Sequence, residues 1–204
     1  MKLKSMLCFF LLLVLLLAGA CTKNDCSDTD PGVVIDGISW ATCNVDAPGT
    51  FASSPESPGM FYQWNRKKGW SISTPGENEP MSGWDPSCPS GTSWEKINDP
   101  CPSGWRVPTI DELESLLNTG STWTTLNGQT GRLFGSGSNS IFLPAAGFRE
   151  DDVGMLINAG WYGLYWGGTE DAFVYARGLI YYSDYAYMGE KSRNNGLSIR
   201  CVAE

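Results

Sequence analysis

Glycine and proline break this chain so often that no long helical bundle fits into it. The 204 residues include 24 glycines and 12 prolines, 36 positions or about 18%, against roughly 12% in average proteins. Each residue type ends or bends a helix, and both mark turns. Short elements joined by tight turns are therefore expected. With 42% hydrophobic and 12% aromatic residues the chain has material for a core, and disorder is not expected.

One segment escapes this punctuation. After Pro108, Thr109-Ile110-Asp111-Glu112 has the spacing of a capping box. Ile110, Leu113, Leu116 and Leu117 then share one helical face. Asp111, Glu112 and Glu114 suit the positive N-terminal end, and Asn118-Thr119-Gly120 closes the helix. Elsewhere the pattern is strand and turn. Val33 to Trp40 reads as a hairpin around Asp36-Gly37. Short strands are expected at Met60–Trp64, Ile141–Pro144, Leu164–Trp166, Ala172–Arg177 and Leu197–Val202. Residues 44–60 read as a loop. Residues 65–100 read as irregular chain held by Trp70, Trp84 and Trp94. No repeat of 20–50 residues is present, and Cys88-Pro89-Ser90-Gly91 and Cys101-Pro102-Ser103-Gly104 echo one another over four residues only.

The N-terminus reads as a targeting segment. Lys2 and Lys4 precede an apolar run from Leu7 to Leu17, then Ala18-Gly19-Ala20-Cys21. This is a secretory pattern, too short for a comfortable membrane span. The end of it resembles a bacterial lipobox, with Leu17 one place further from the cysteine than usual. The resemblance implies cleavage before Cys21 and acylation of Cys21. The expected organisation is a signal over 1–20, an acidic flexible tether over 21–32 and one domain over 33–204. Acidic tethers of this kind resemble surface-export signals of some Gram-negative lipoproteins, so the expected location is the cell envelope, as a surface-exposed outer-membrane lipoprotein.

The formal net charge is −8, and loss of Lys2 and Lys4 with the signal would bring it near −10. Nucleic-acid phosphates and anionic membrane surfaces repel such a chain. No nucleic-acid partner is expected, and membrane contact is expected through the lipid only. Arg66-Lys67-Lys68 is the one dense basic cluster and reads as a solvated loop. Histidine is absent, which removes Ser-His-Asp triads, Cys-His dyads and His-ligated metals.

Of seven cysteines, Cys8 leaves with the signal and Cys21 takes lipid. Cys26, Cys43, Cys88, Cys101 and Cys201 remain, an odd number in a disulfide-permissive compartment. No Cys-x-x-Cys spacing occurs. Four cysteines allow three pairings. The expectation is Cys101–Cys201 with Cys43–Cys88, and Cys26 unpaired in the tether.

Four segments in order carry a family resemblance. They are Ile38-Ser39-Trp40-Ala41-Thr42-Cys43-Asn44-Val45, then Cys101-Pro102-Ser103-Gly104-Trp105-Arg106-Val107-Pro108-Thr109 with Glu112-Leu113, then Leu143-Pro144-Ala145-Ala146-Gly147-Phe148-Arg149, and Ser198-Ile199-Arg200-Cys201-Val202. Together they resemble the Fibrobacter succinogenes major paralogous domain family over about residues 33–204. Tyr165-Trp166-Gly167-Gly168-Thr169 departs from it, since the family more often has serines after the tryptophan. The resemblance implies an α+β, C-type-lectin-like domain of the sulfatase-modifying-factor group, loop-rich, with few helices and paired terminal strands. It also implies exported or cell-surface proteins. Trp105 and Trp166 then read as core.

No catalytic residue and no cofactor is expected. Glu150-Asp151-Asp152 are sequence neighbours on a loop, whereas a glycosidase needs two carboxyls facing across a cleft. The oxidase chemistry of the wider fold group uses a late cysteine pair, and the late chain has only Cys201. Calcium-binding lectins use Glu-Pro-Asn or Gln-Pro-Asp, and neither occurs, so no metal site is assigned; Glu77-Asn78-Glu79-Pro80 offers only oxygen atoms. Aromatic binding remains. Trp161, Tyr162, Tyr182, Tyr185 and Tyr187 lie among Gly, Ser and Asp and are the candidate ligand-binding residues. The expected function is a non-catalytic, lipid-anchored binding module for a glycan or a cell-surface protein. The alternatives are a structural subunit of a surface assembly and, third, a polysaccharide hydrolase.

Overall fold

The computed structural model describes residue 26 and residues 30–204. The signal over 1–20 and Cys21 lie outside the described residues. Four small antiparallel sheets make up most of the regular structure. A terminal sheet orders Val33–Ile35, Ile38–Trp40, Val202–Ala203 and Trp105–Arg106. A central sheet orders Leu156–Ile157, Phe148–Arg149, Gly196–Leu197, Phe61–Gln63 and Gly69–Trp70. Two three-stranded meanders follow the chain. The first is Ser121–Leu126, Gln129–Ser136 and Asn139–Pro144, and the second is Gly163–Ala172, Tyr175–Tyr181 and Ala186–Ser192.

This corrects the expected fold class. Strand accounts for 39% of the structure and helix for 7%, so an α+β C-type-lectin-like arrangement does not hold. The physical reason is local. Among the described residues only Ile110–Asn118 forms an α-helix, with Thr109 and Glu112 closing both halves of its capping box. Two-residue turns with positive φ at both positions, Asp36-Gly37 and Asn127-Gly128, instead turn neighbouring segments into hairpins. No helix among the described residues is long and apolar enough to cross a membrane.

The terminal strands meet, Val202 opposite Trp40. The strand expected over 172–177 is broken, because Phe173-Val174 is the turn joining the first two strands of the second meander. Arg193 fixes that turn by donating its backbone N–H to the Val174 carbonyl at 3.0 Å.

The core holds Trp40, Trp64, Trp166, Tyr62, Tyr165 and Tyr181, with Trp105 at its border. Buried indoles need acceptors; Trp64 Nε1 donates to Gly167 O at 3.0 Å and Trp166 Nε1 to Tyr62 O at 2.7 Å. Buried arginines fasten the loops where ladders are too short to do so. Arg200 donates to Asn44 Oδ1, Ala41 O, Thr42 O and Phe142 O. Arg149 donates to Ser71 O, Pro75 O and Gly154 O. Burial holds both guanidinium pKa values below the usual arginine range.

Two cysteine pairs stand at disulfide distance. Cys101 and Cys201 have Cα atoms 6.1 Å apart, the expected pair. The second corrects the expectation: Cys43 pairs with Cys26, Cα atoms 6.0 Å apart, and Cys88 is the exposed free thiol. Asp30 explains the partner exchange. It is buried, and its carboxylate accepts from Thr42 N at 2.7 Å and Thr42 Oγ1 at 2.9 Å. That contact draws the segment containing Cys26 alongside Cys43, while Cys88 lies in a loop beside the Phe173 carbonyl.

Candidate aromatic binding site

Register brings the candidate tyrosines together. Gly163 pairs with Tyr181, which sets Tyr162 beside Tyr182 at the sheet end. Tyr181 pairs with Ala186, so Tyr182 and Tyr185 face each other across the connecting turn. Tyr185 and Tyr187 are two apart and share a sheet face. The rings form a continuous group. Centroids are 5.3 Å apart for Tyr162–Tyr182, 4.4 Å for Tyr182–Tyr185 and 5.4 Å for Tyr185–Tyr187. Tyr185 is 52% exposed and Tyr187 39%, with Tyr162 and Tyr182 half-buried. Trp161, 73% exposed, stands beside them on the turn after Asn158.

Hydrogen bonds tie down the turn beneath this group. Arg132 donates to the Tyr182 carbonyl at 2.7 Å and the Ser183 carbonyl at 3.3 Å, and grips Ser121 through its hydroxyl and carbonyl. Tyr182 N donates to Tyr185 O at 3.1 Å. Gly147 N donates to Tyr162 O at 2.7 Å, and Thr130 Oγ1 to Gly160 O at 2.7 Å. The turn holding Trp161 and Tyr162 also forms one wall of a depression of about 340 Å³ lined by Thr130, Ala145, Ala146, Leu156, Ala159 and Gly160. Arg132 and this depression were not among the sequence candidates; neither carries a local pattern that would mark it.

The phenols influence one another. A hydrogen bond with Tyr185 stabilises the protonated Tyr182 hydroxyl, and partial desolvation and the neighbouring phenols add to it, so its pKa is pushed up to about 12. Burial, then Tyr185 and Tyr162, raise that of Tyr187. Tyr182 and Tyr187 are therefore neutral hydrogen-bonding phenols at neutral pH, and the Tyr185 and Tyr187 rings are exposed. Such a surface can stack on apolar faces and exchange hydrogen bonds with hydroxyls.

Glu150 spends its carboxylate on the backbone of its own turn, accepting from Asp152 N at 3.1 Å and Val153 N at 3.0 Å. Glu77 and Glu79 are exposed. Among the described residues no group of three or more Cys, Asp or Glu side chains stands ready to hold a metal ion. A second concavity of about 530 Å³ lies beside Trp94 and Asp99, and its charges are committed within the fold. Arg106 holds Glu112 through two bonds at 2.6 and 2.8 Å, Lys96 pairs with Glu204, and Asp99 accepts from Cys101 N and Val107 N. Burial raises the Asp99 pKa against those hydrogen bonds.

In comparison with known proteins, no family model, no curated protein sequence and no solved structure matches this chain.

Proposed function

We propose that this chain is a non-catalytic binding module of the cell envelope, anchored through lipid on Cys21, that recognises glycan through its exposed tyrosines. The observation that carries the reading is the continuous group Tyr162–Tyr182–Tyr185–Tyr187, which leaves several rings open to solvent on a braced turn. Monomeric domains seldom expose contiguous apolar groups without a use for them. The signal, the lipobox-like Cys21 and the resemblance to the Fibrobacter succinogenes family support an envelope location. A glycan array with the wild-type chain and Tyr185→Ala tests it. Binding lost in the variant is expected; absence of binding on the array, or binding indifferent to Tyr185, refutes it.

One observation favours a second reading, a structural subunit of a surface assembly. Ala186–Ser192 lies at the edge of its sheet and carries Tyr187. Edge strands accept strands of other chains. Cross-linking on cells that captures a neighbour through this strand would support that reading, and capture of monomer alone would exclude it.

A further inference from the structure

Resting on the glycan reading, we infer that the ligand is a short, uncharged, single-chain oligosaccharide, and neither a crystalline polysaccharide face nor a polyuronate. Ring orientation separates the first two. A crystalline face presents many sugar rings in one plane and needs coplanar aromatics to lie on. Here the interplanar angles along the group are 43°, 63° and 41°. No neighbouring pair is coplanar, so a rigid flat ligand would meet one ring face at a time. A single chain, whose successive units rotate about glycosidic bonds, can present its faces at different angles.

The group is also compact. Successive centroids are only 5.3, 4.4 and 5.4 Å apart, so the whole series is no longer than about 15 Å. That geometry suits a chain end or a short segment. Gly189 helps fix it: a Cβ there would meet Tyr187 Cε2 at 2.9 Å and Ile180 Cδ1 at 2.8 Å. The missing side chain lets the Tyr187 ring lie down beside the strand.

Charge separates neutral from acidic sugars. A uronate is best held by a free cation, and among the described residues Arg132 beneath the rings and Lys191 on the strand of Tyr187 are both engaged by other groups. Arg132 is buried and spends its donors on Ser121, Tyr182 and Ser183. Lys191 lies 4.7 Å over the Phe148 ring, and burial lowers its pKa. Asp184 adds negative charge at the turn, with an exposed side chain accepting from Ser183 Oγ. The chain as a whole is at −8.

The test is calorimetric titration of short gluco- and manno-oligosaccharides and of polygalacturonate, with a pull-down on microcrystalline cellulose, for the wild type, Tyr185→Ala and Tyr185→Phe. A neutral oligosaccharide is expected to bind, with affinity falling about tenfold in Tyr185→Ala and retained within a few-fold in Tyr185→Phe, the size of one aromatic stacking contact. Tyr185 is exposed, so both variants are expected to keep the wild-type near-ultraviolet dichroism apart from one lost chromophore in the alanine variant. Tyr185-dependent binding of polygalacturonate or cellulose, with no neutral oligosaccharide bound, overturns this inference and leaves the glycan module standing. No carbohydrate bound, or binding indifferent to Tyr185, overturns both.

Discussion

Arg200→Met is the sharpest test of how this loop-rich domain is held. The arginine is 1% exposed and its guanidinium reaches four acceptors, Asn44 Oδ1 and the carbonyls of Ala41, Thr42 and Phe142. Methionine fills similar space and donates nothing. Each buried acceptor left without a partner costs roughly 1–3 kcal/mol, or at least about 4 kcal/mol for the four. Removing a desolvated charge returns part of this, leaving an expected loss of about 3 kcal/mol. For a domain of this size that lowers the midpoint by about 6–12 °C. Urea unfolding followed by tryptophan fluorescence measures it, with the slope m unchanged if only stability moves. Arg200→Lys is expected to behave nearly as badly, because a single ammonium cannot span a forked set of acceptors. A loss below about 1 kcal/mol in the methionine variant would refute the reasoning, because the buried charge would then cost as much as its bonds return.

Four other outcomes are expected. Non-reducing peptide mapping should find Cys26–Cys43 and Cys101–Cys201, with Cys88 alone alkylated in the folded chain; replacing both Cys101 and Cys201 by Ser should cost about 4–5 kcal/mol for a loop closed over 100 residues. Titration followed at 295 nm should include a phenol ionising near pH 12 that is absent in Tyr182→Phe. Its folded pKa is raised, so the associated stability is complete below pH 10 and is lost as pH rises through 12. Gly163→Ala should unfold or severely weaken the domain, because a Cβ there would stand 1.9 Å from Tyr181 Cζ and 2.2 Å from its hydroxyl oxygen; a variant as stable as wild type in thermal melts would contradict this packing. Cys21→Ser should release the protein from the membrane fraction, and unchanged fractionation would remove the anchor.

Legibility in the sequence followed the range of the determinants. The helix could be read because Thr109, Glu112 and its apolar period all lie within nine residues. The Asp36-Gly37 hairpin could be read for the same reason. Asn127-Gly128 carries an equally local signal for the first meander, of which only Ile141–Pro144 is expected as a named strand. The Phe173-Val174 turn contains no glycine, proline or asparagine and is tied down by Arg193, twenty positions later. The Cys26–Cys43 pair depends on Asp30 meeting Thr42, a tertiary event. The fold class failed on a global property, the arrangement of many short strands, which motif likeness does not determine. The tyrosines were found by residue type, and the register of the second meander gathered them into one group.

The Cys26–Cys43 pair also changes the mechanics of attachment. A twelve-residue tether over 21–32 would act as a long leash. With Cys26 bonded to Cys43 and Asp30 buried, the first fastened point is Cys26, five residue steps from Cys21. Fully extended, they span about 18 Å. With lipid on Cys21, as proposed above, that length would be the greatest distance from the anchor to Cys26. Without that bond the next fastened point would be Asp30, held by Thr42, and the greatest reach would grow by four residues, about 14 Å.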